Sequence, residues 1–465
     1  MNKLNNYIFS ILFLGILYVL IFNLFHYDQI QGYDGEAHQA YVNNFFNMYG
    51  PTRTSEPSIN YTYEFFSPPL GYLFPAILNL ICTNFLSDVY SCKVFYGFNN
   101  MLLQSILFIS TLFIYIKIIE LYQGNKNKFN IHVLLLLGIF TVNYRSVAMI
   151  RGETLILFFN SLLMYKFLQL LQNSFEYKKK ELFIVGILIG SLALSRQWAF
   201  LLFPGYIFLL FFIKNYEIRK RYFKFFFTSS IIGFVASSWF YINLFFEYGS
   251  LTAFNMKKVG FKLSNQPLSF YIPQGSEIGM VFTKPIRPYF ENQFFPVLYS
   301  DLWGDYWGYF TFTSRALDVG KNQLLIGDYL ARVNILSLLP TLLLIIGVVH
   351  AIKEIRTKES INKNFLTYIL FSSAISLLGY LWFLISHPEP TGDTIKATYI
   401  IQLFHLLGLT SVIYLENLKQ RNKKLYNIYI ILLLIVFANN FSALMSHFPF
   451  NDLLFDVQYN VKLHW

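Results

Sequence analysis

Asp34 and Glu36 stand two residues apart in the stretch Gly32-Tyr33-Asp34-Gly35-Glu36-Ala37-His38, with His38 four residues after Asp34. A carboxylate here can take a proton from an attacking hydroxyl, ligate a cation or cap a helix, and a histidine at that spacing shares the helix face. A further acid, Glu153, closes Arg151-Gly152-Glu153 at the start of an apolar run. Arg151, Arg196 and Lys396 sit at ends of such runs, where a cation can hold a phosphate as negative charge develops on it, and Arg145 is placed alike. A third set interleaves acids with aromatic rings: Asp301, Trp303, Asp305 and Trp307 lie within 298–310, and His387 and Asp393 precede Lys396. Sugar faces stack on such rings while carboxylates bond the hydroxyls, which suits these residues and His38 to a sugar or its acceptor. Each set also has a plainer reading. Asp34 can cap a helix with Glu36 at its positive end, the cations can snorkel to lipid headgroups, and the aromatics can form an interfacial belt.

The elements that must carry these residues are apolar. Of 465 residues, 55% are apolar, 20% aromatic and only 13% charged, about half the charge of a soluble domain, which excludes a soluble enzyme. The net charge of +11 resides mainly in short clusters between apolar runs, so it reads as a topology signal and not as a nucleic-acid surface. Two cysteines, Cys82 and Cys92, are too few for a disulfide framework and lack metal-type spacing, and no phosphate-cradling glycine motif occurs. Runs able to cross a bilayer lie at 7–25, 94–120, 130–144, 153–171, 182–196, 198–213, 224–246, 333–352, 365–386, 397–415 and 426–444. The first, with no small-residue cleavage site after it, stays as a signal anchor. The expected fold is an all-α polytopic membrane bundle of about 11 to 13 transmembrane helices.

Charge fixes the orientation. Lys126 with Lys128, Lys178 to Lys180, Arg219 to Arg221, and the basic stretches 353–363 and 419–424 mark the cytoplasmic side. The loop 27–68 carries Asp28, Asp34, Glu36, Glu56 and Glu64 against Arg53 alone, so it belongs outside, and an odd number of crossings separates it from Lys126. Only 94–120 crosses there. The apolar stretch 69–86, opened by Pro68-Pro69 and holding Pro75, lies in the interface or re-enters. From Glu36 onward Ala37, Ala40, Tyr41, Phe45 and Met48 recur at helical spacing, which predicts an amphipathic helix along the membrane. All the candidate residues then share the outer side. Three parts follow: an N-terminal transmembrane module at 1–246, an outer aromatic-rich segment at 247–332, and C-terminal transmembrane helices with a short outer tail at 333–465.

A first span followed at once by outward acids, a juxtamembrane helix and Ser67-Pro68-Pro69-Leu70-Gly71-Tyr72, then many spans, resembles the GT-C glycosyltransferases. Within them the chain is most similar to the protein O-mannosyltransferase and aminoarabinose-transferase branch, over residues 7–200 in order of features. The resemblance implies transfer of a sugar from a dolichyl or undecaprenyl phosphate to a lipid, glycan or protein acceptor on the outer face, by inverting single displacement. It implies that Asp34 is the catalytic base beside Glu36. The intervening Gly35 departs from the adjacent acids of many members and leaves open which carboxylate serves. It makes Glu153 the second acid, Glu where Asp is more usual, and puts Arg151, Arg196 and Lys396 at the donor phosphate. A divalent cation, Mg or Mn, would use Asp34, Glu36 and Glu153, though the family does not uniformly need one. The abundance of Lys, Asn and Ile points to a prokaryotic plasma membrane. Two other classes fit many spans. A lipid-linked saccharide carrier wants ionisable residues near the midplane, where 224–246 and 426–444 hold none; a polysaccharide polymerase or ligase would share the donor lipid.

Overall fold

The computed structural model describes residues 2–26, 34–49, 64–85, 89–124, 130–252, 254, 259–310, 321–357 and 361–446. Parts of the first outer loop (27–33 and 50–63), Lys126 with Lys128, residues 311–320 and the tail from 447 lie outside the described residues.

Apolar runs without charge become helices because, away from water, a helix satisfies every backbone group within one segment. The N-terminal part holds α1 (Asn2–His26), α2 (Gly35–Tyr49), α3 (Leu70–Phe85), α4 (Val89–Gln123), α5 (Ile131–Leu137), α6 (Thr141–Ala148), α7 (Glu153–Gln172), α8 (Lys179–Ser195), α9 (Phe203–Phe212) and α10 (Tyr216–Tyr248). The outer segment contributes the short α11 (Leu268–Tyr271) and α12 (Gly275–Met280), then α13 (Phe294–Trp303). The C-terminal part holds α14 (Lys321–Leu336), α15 (Leu338–Thr357), α16 (Ile361–Ser386), α17 (Ile401–Arg421) and α18 (Lys423–Asn440). Among the described residues, eight helices are long and apolar enough to cross a bilayer: α1, α4, α7, α10, α14 running into α15, α16, α17 and α18. The chain is thus an integral multi-pass membrane protein.

Three runs expected to cross singly fold differently. Residues 182–196 and 198–213 form α8 and the stretch Gln197–Phe212, in which a 3-10 turn leads into α9, and both are shorter than the eight. The run 130–144 breaks into α5 and α6, bent by 75°. The break has local causes. A Cβ at Gly138 would stand 2.6 Å from Leu134 O and 2.8 Å from Ile16 of α1, so α1 packs directly on the bend. The carbonyls that the bend frees are taken up by side chains just beyond it: Asn143 Nδ2 donates to Leu137 O and the Tyr144 hydroxyl to Gly138 O, both at 2.7 Å. A count of eleven crossings is therefore not established.

The two surface elements behave as their composition requires. Helix α3 has 16 residues, about 24 Å of length against a hydrocarbon layer of about 30 Å, so it is too short to cross upright. Helix α2 buries Tyr41, Val42, Phe45 and Met48 in a small cluster with Tyr72 and Ala76 of α3. Cys82 and Cys92 form a disulfide joining α3 to α4, a link that the cysteine count alone did not reveal. Such bonds persist in oxidising compartments. Helix α13 packs against α6, against α14 and against the 3-10 turn Ala397–Ile400 that opens α17, so the outer segment is wedged into one end of the bundle.

Candidate active site

Asp34 stands immediately before α2 with φ +53°, a left-handed conformation that Asp tolerates better than most residues, and its carbonyl accepts the His38 amide at 3.0 Å. Its carboxylate lies 3.5 Å from Lys396 Nζ, which also lies 3.6 Å from Asp393. The lysine side chain is 3% exposed while the two carboxylates are about half exposed, at 45% and 55%. The ammonium therefore lies beneath two acids that reach solvent. The Lys396 ammonium holds the Asp34 carboxyl below the usual carboxylate range, against the burial that raises it, so Asp34 is ionised at neutral pH. Burial works to discharge Lys396, but Tyr399, Asp34 and Asp393 together outweigh it and raise its pKa.

A second, deeper network abuts this pair. Arg196 follows α8 and contacts acids from two directions, Glu64 at 3.3 Å and Glu153 at 3.3 Å. Arg151 Nε meets the same Glu153 oxygen at 3.4 Å, and its guanidinium carbon lies 5.4 Å from the Tyr399 ring centre. The Ser-Pro-Pro-Leu-Gly-Tyr stretch supplies the connections. Ser67 donates to Glu64 at 2.5 Å and accepts from Arg196, while the Tyr72 hydroxyl bonds His38 Nδ1 at 2.8 Å and accepts from Arg196 at 3.3 Å. Gly71 and Gly152 let three elements meet. A Cβ on Gly71 would stand 3.0 Å from Gly152 N, and one on Gly152 would stand 1.8 Å from Ser195 O. The His38 ring is 2% exposed, and burial together with the positive field of Arg151 and Arg196 pushes its pKa well below the ordinary value, so it is neutral. Its Nε2 has no hydrogen-bond partner among the described residues.

Part of this network borders a cavity of about 210 Å³, while His38, Tyr72, Arg151 and Glu153 are not among its lining residues. Its lining includes the charged Asp34, Glu64, Arg196, Glu389, Asp393 and Lys396 and the rings of Phe66, Trp198, Phe254, Phe383 and Tyr399. Trp198 stacks on Tyr399 with centroids 5.2 Å apart. A charged floor that can hold an anion thus sits beside an aromatic wall that can hold a sugar face.

Four of the sequence candidates, Asp34, Arg196, Asp393 and Lys396, line the cavity, and three more, His38, Arg151 and Glu153, join them through the adjoining network. Glu36 does not line the cavity and is exposed in the first turn of α2. The aromatic and acidic residues of 298–310 lie apart from the cavity. None of Asp301, Trp303, Asp305 and Trp307 lines the cavity, and all are buried and bonded to the framework. Trp303 Nε1 donates to Thr341 at 3.0 Å, and Asp305 accepts the Phe310 amide at 2.8 Å. Arg145 is likewise absent from the lining and is fully buried against Asp301 and Asp305, at 3.0 and 3.3 Å. His387 packs behind the wall, stacked on Phe383 at 4.7 Å. Glu64, Ser67 and Tyr72 were missed as site residues. The available signal was their position around the Pro-Pro pair, where a rigid entry into α3 fixes side-chain direction.

The expected cation set of Asp34, Glu36 and Glu153 does not assemble, because Glu153 is held between two guanidinium groups and Glu36 is not part of the cluster. Asp34, His38 and Glu64 do assemble, with one ligand atom from each within 4.8 Å of the others. His38 approaches Glu64 through Nδ1, 3.9 Å from Glu64 Oε2, and a neutral imidazole beside two carboxylates suits a divalent ion.

The chain is thus an all-helical, polytopic membrane protein with a charged cavity at one end of the bundle. Neither a family model nor a curated protein sequence matches the chain. Among solved structures it is similar, over 98% of its own length, to the archaeal oligosaccharyltransferase AglB from Archaeoglobus fulgidus, solved in complex with an inhibitory peptide and a dolichol-phosphate. The TM-score is 0.50 and the identity 16%, and the chain spans 56% of that protein's chain.

Proposed function

We propose that the protein transfers a glycosyl group from a polyprenyl phosphate to an acceptor at the outer face of a prokaryotic plasma membrane. The observation that carries this reading is the meeting of Asp34 with Lys396 at 3.5 Å in a cavity that also has an aromatic wall. The likeness to a fold that holds a dolichol-phosphate and a peptide supports it. The order of features in 7–200 favours the O-mannosyltransferase and aminoarabinose-transferase branch within that fold.

The ionised Asp34 accepts the proton of the acceptor nucleophile as it attacks the anomeric carbon from the face opposite the phosphate. The sugar–phosphate bond breaks, its electron pair leaves with the phosphate, and configuration inverts. Lys396 and Arg196 supply positive charge beside the leaving group, and Glu153, held between Arg151 and Arg196, fixes the Arg196 guanidinium. Five carboxylates, Asp34, Glu64, Glu153, Glu389 and Asp393, stand in or beside the cavity with three cations, Arg151, Arg196 and Lys396, so an anionic donor meets excess negative charge. Asp34, His38 and Glu64 are the residues that would hold a divalent cation such as Mg or Mn, which when bound would neutralise part of that charge.

The deciding experiment gives purified protein in liposomes a panel of labelled polyprenyl phosphosugars and compares wild type with Asp34→Asn. Loss of turnover by about 10² to 10⁴-fold with donor binding intact is expected for a general base. Undiminished turnover in the variant, or no donor consumed by wild type even with membrane extract as acceptor, overturns the reading. In the same assay EDTA should lower turnover and Mg or Mn restore it; indifference to chelation removes the cation.

A further inference from the structure

We infer that Asp301, held by Arg145, is a positioning residue for Lys396 and fixes the ammonium that faces Asp34. The inference rests on the reading of Lys396 as counter-charge to the donor phosphate.

Both peptide groups that flank Lys396 are taken by side chains from elsewhere in the fold. Ahead of it, Trp307 Nε1 donates to Ile395 O at 3.1 Å. The Lys396 amide donates to the Tyr380 hydroxyl at 2.7 Å, and that hydroxyl donates to Thr394 O at 2.7 Å. Behind it, the Ala397 amide donates to Asp301 Oδ2 at 2.7 Å. Neither φ nor ψ of Lys396 can turn far without breaking one of these bonds. Asp301 is fully buried, a costly place for a charge, and Arg145, equally buried, neutralises it. Arg145 Nη2 lies 3.0 Å from Asp301 Oδ1 and also donates to the Asp301 carbonyl. Its Nη1 reaches Gly304 O and Asp305 Oδ1, both at 3.3 Å.

A neutral Asn or Ser could also accept the Ala397 amide, so that cap alone does not call for a buried ion pair. The pair does something a neutral cap cannot: it ties α13 to α6 and so locates the oxygen that holds the backbone of Lys396. Asp301 and Trp307, which the sequence suggested as sugar ligands, thereby reach the cavity only through Lys396.

The test uses the full chain with Asp301→Asn. It adds Tyr380→Phe, which removes one hydroxyl and leaves every buried charge paired, in case the first variant does not fold. The first readout is labelling of Lys396 by trinitrobenzenesulfonate, followed by mass spectrometry. Labelling should rise severalfold in each folded variant, and unchanged labelling in both overturns the inference. The second readout is a cycle with Lys396→Met. Asp301→Asn alone should lower kcat/KM by about 10 to 100-fold, yet add no loss to Lys396→Met. Losses that multiply show a merely structural role and overturn it. If wild type consumes no donor, the proposed function falls while the labelling still decides the positioning.

Discussion

At the residue scale, the chemistry lies in how neighbours set each charge. Asp34 is kept ionised by Lys396, and its folded pKa lies below its unfolded one, so it contributes stability above about pH 4 that is lost as pH falls through the folded value. Replacing Lys396 by Met removes the largest cause of that depression. The acid limb of kcat/KM should therefore move to higher pH in Lys396→Met, and a limb that stays in place would detach Asp34 from the rate. The separate acids, cations and aromatics were legible from type and spacing alone. Which of them touch was not, because Asp34 and Lys396 are 362 residues apart. Glu64 escaped notice for a related reason. As one of five acids in an outer loop it read as part of a charge count, and only burial beside Arg196 makes it distinctive.

At the element scale, short and broken helices place these residues where long straight ones could not. The bend between α5 and α6 sets α6, with Arg145, against α13. The close approach of α3, α7 and α8 at Gly71, Gly152 and Ser195 brings Tyr72, Glu153 and Arg196 into one network. A methyl group at Gly152 would meet the Ser195 carbonyl, which is backbone and cannot swing aside. Gly152→Ala should cost about 1 to 3 kcal/mol and lower donor affinity, read as the thermal midpoint and by equilibrium binding. An unchanged midpoint would show that α7 and α8 tolerate separation. Apolar periodicity found the long helices and the amphipathic α2 well, since both follow from which side chains avoid water. It missed the 130–144 break because a run of Ile, Leu, Val and Phe looks the same whether the backbone bends or not.

At the scale of the whole molecule, the long helices hold the cavity at one end of the bundle, and the positive-inside principle predicts from the basic clusters that this end faces outward. Single cysteines at Lys179 and at Ser276, both exposed, should then label from opposite faces of sealed vesicles. Labelling from the same face would refute the orientation. The sequence by itself determined the membrane class, the helical composition and the inventory of charged residues at helix ends, because each follows from local hydropathy and charge. Tertiary structure alone decided which charges pair. Arg145 pairs with Asp301 and Asp305 inside the framework, while Asp34, Glu64, Arg196 and Lys396 border the cavity. The physical reason is that burial and partnership, which decide whether a charge braces the fold or faces a ligand, depend on distances between segments far apart in the chain.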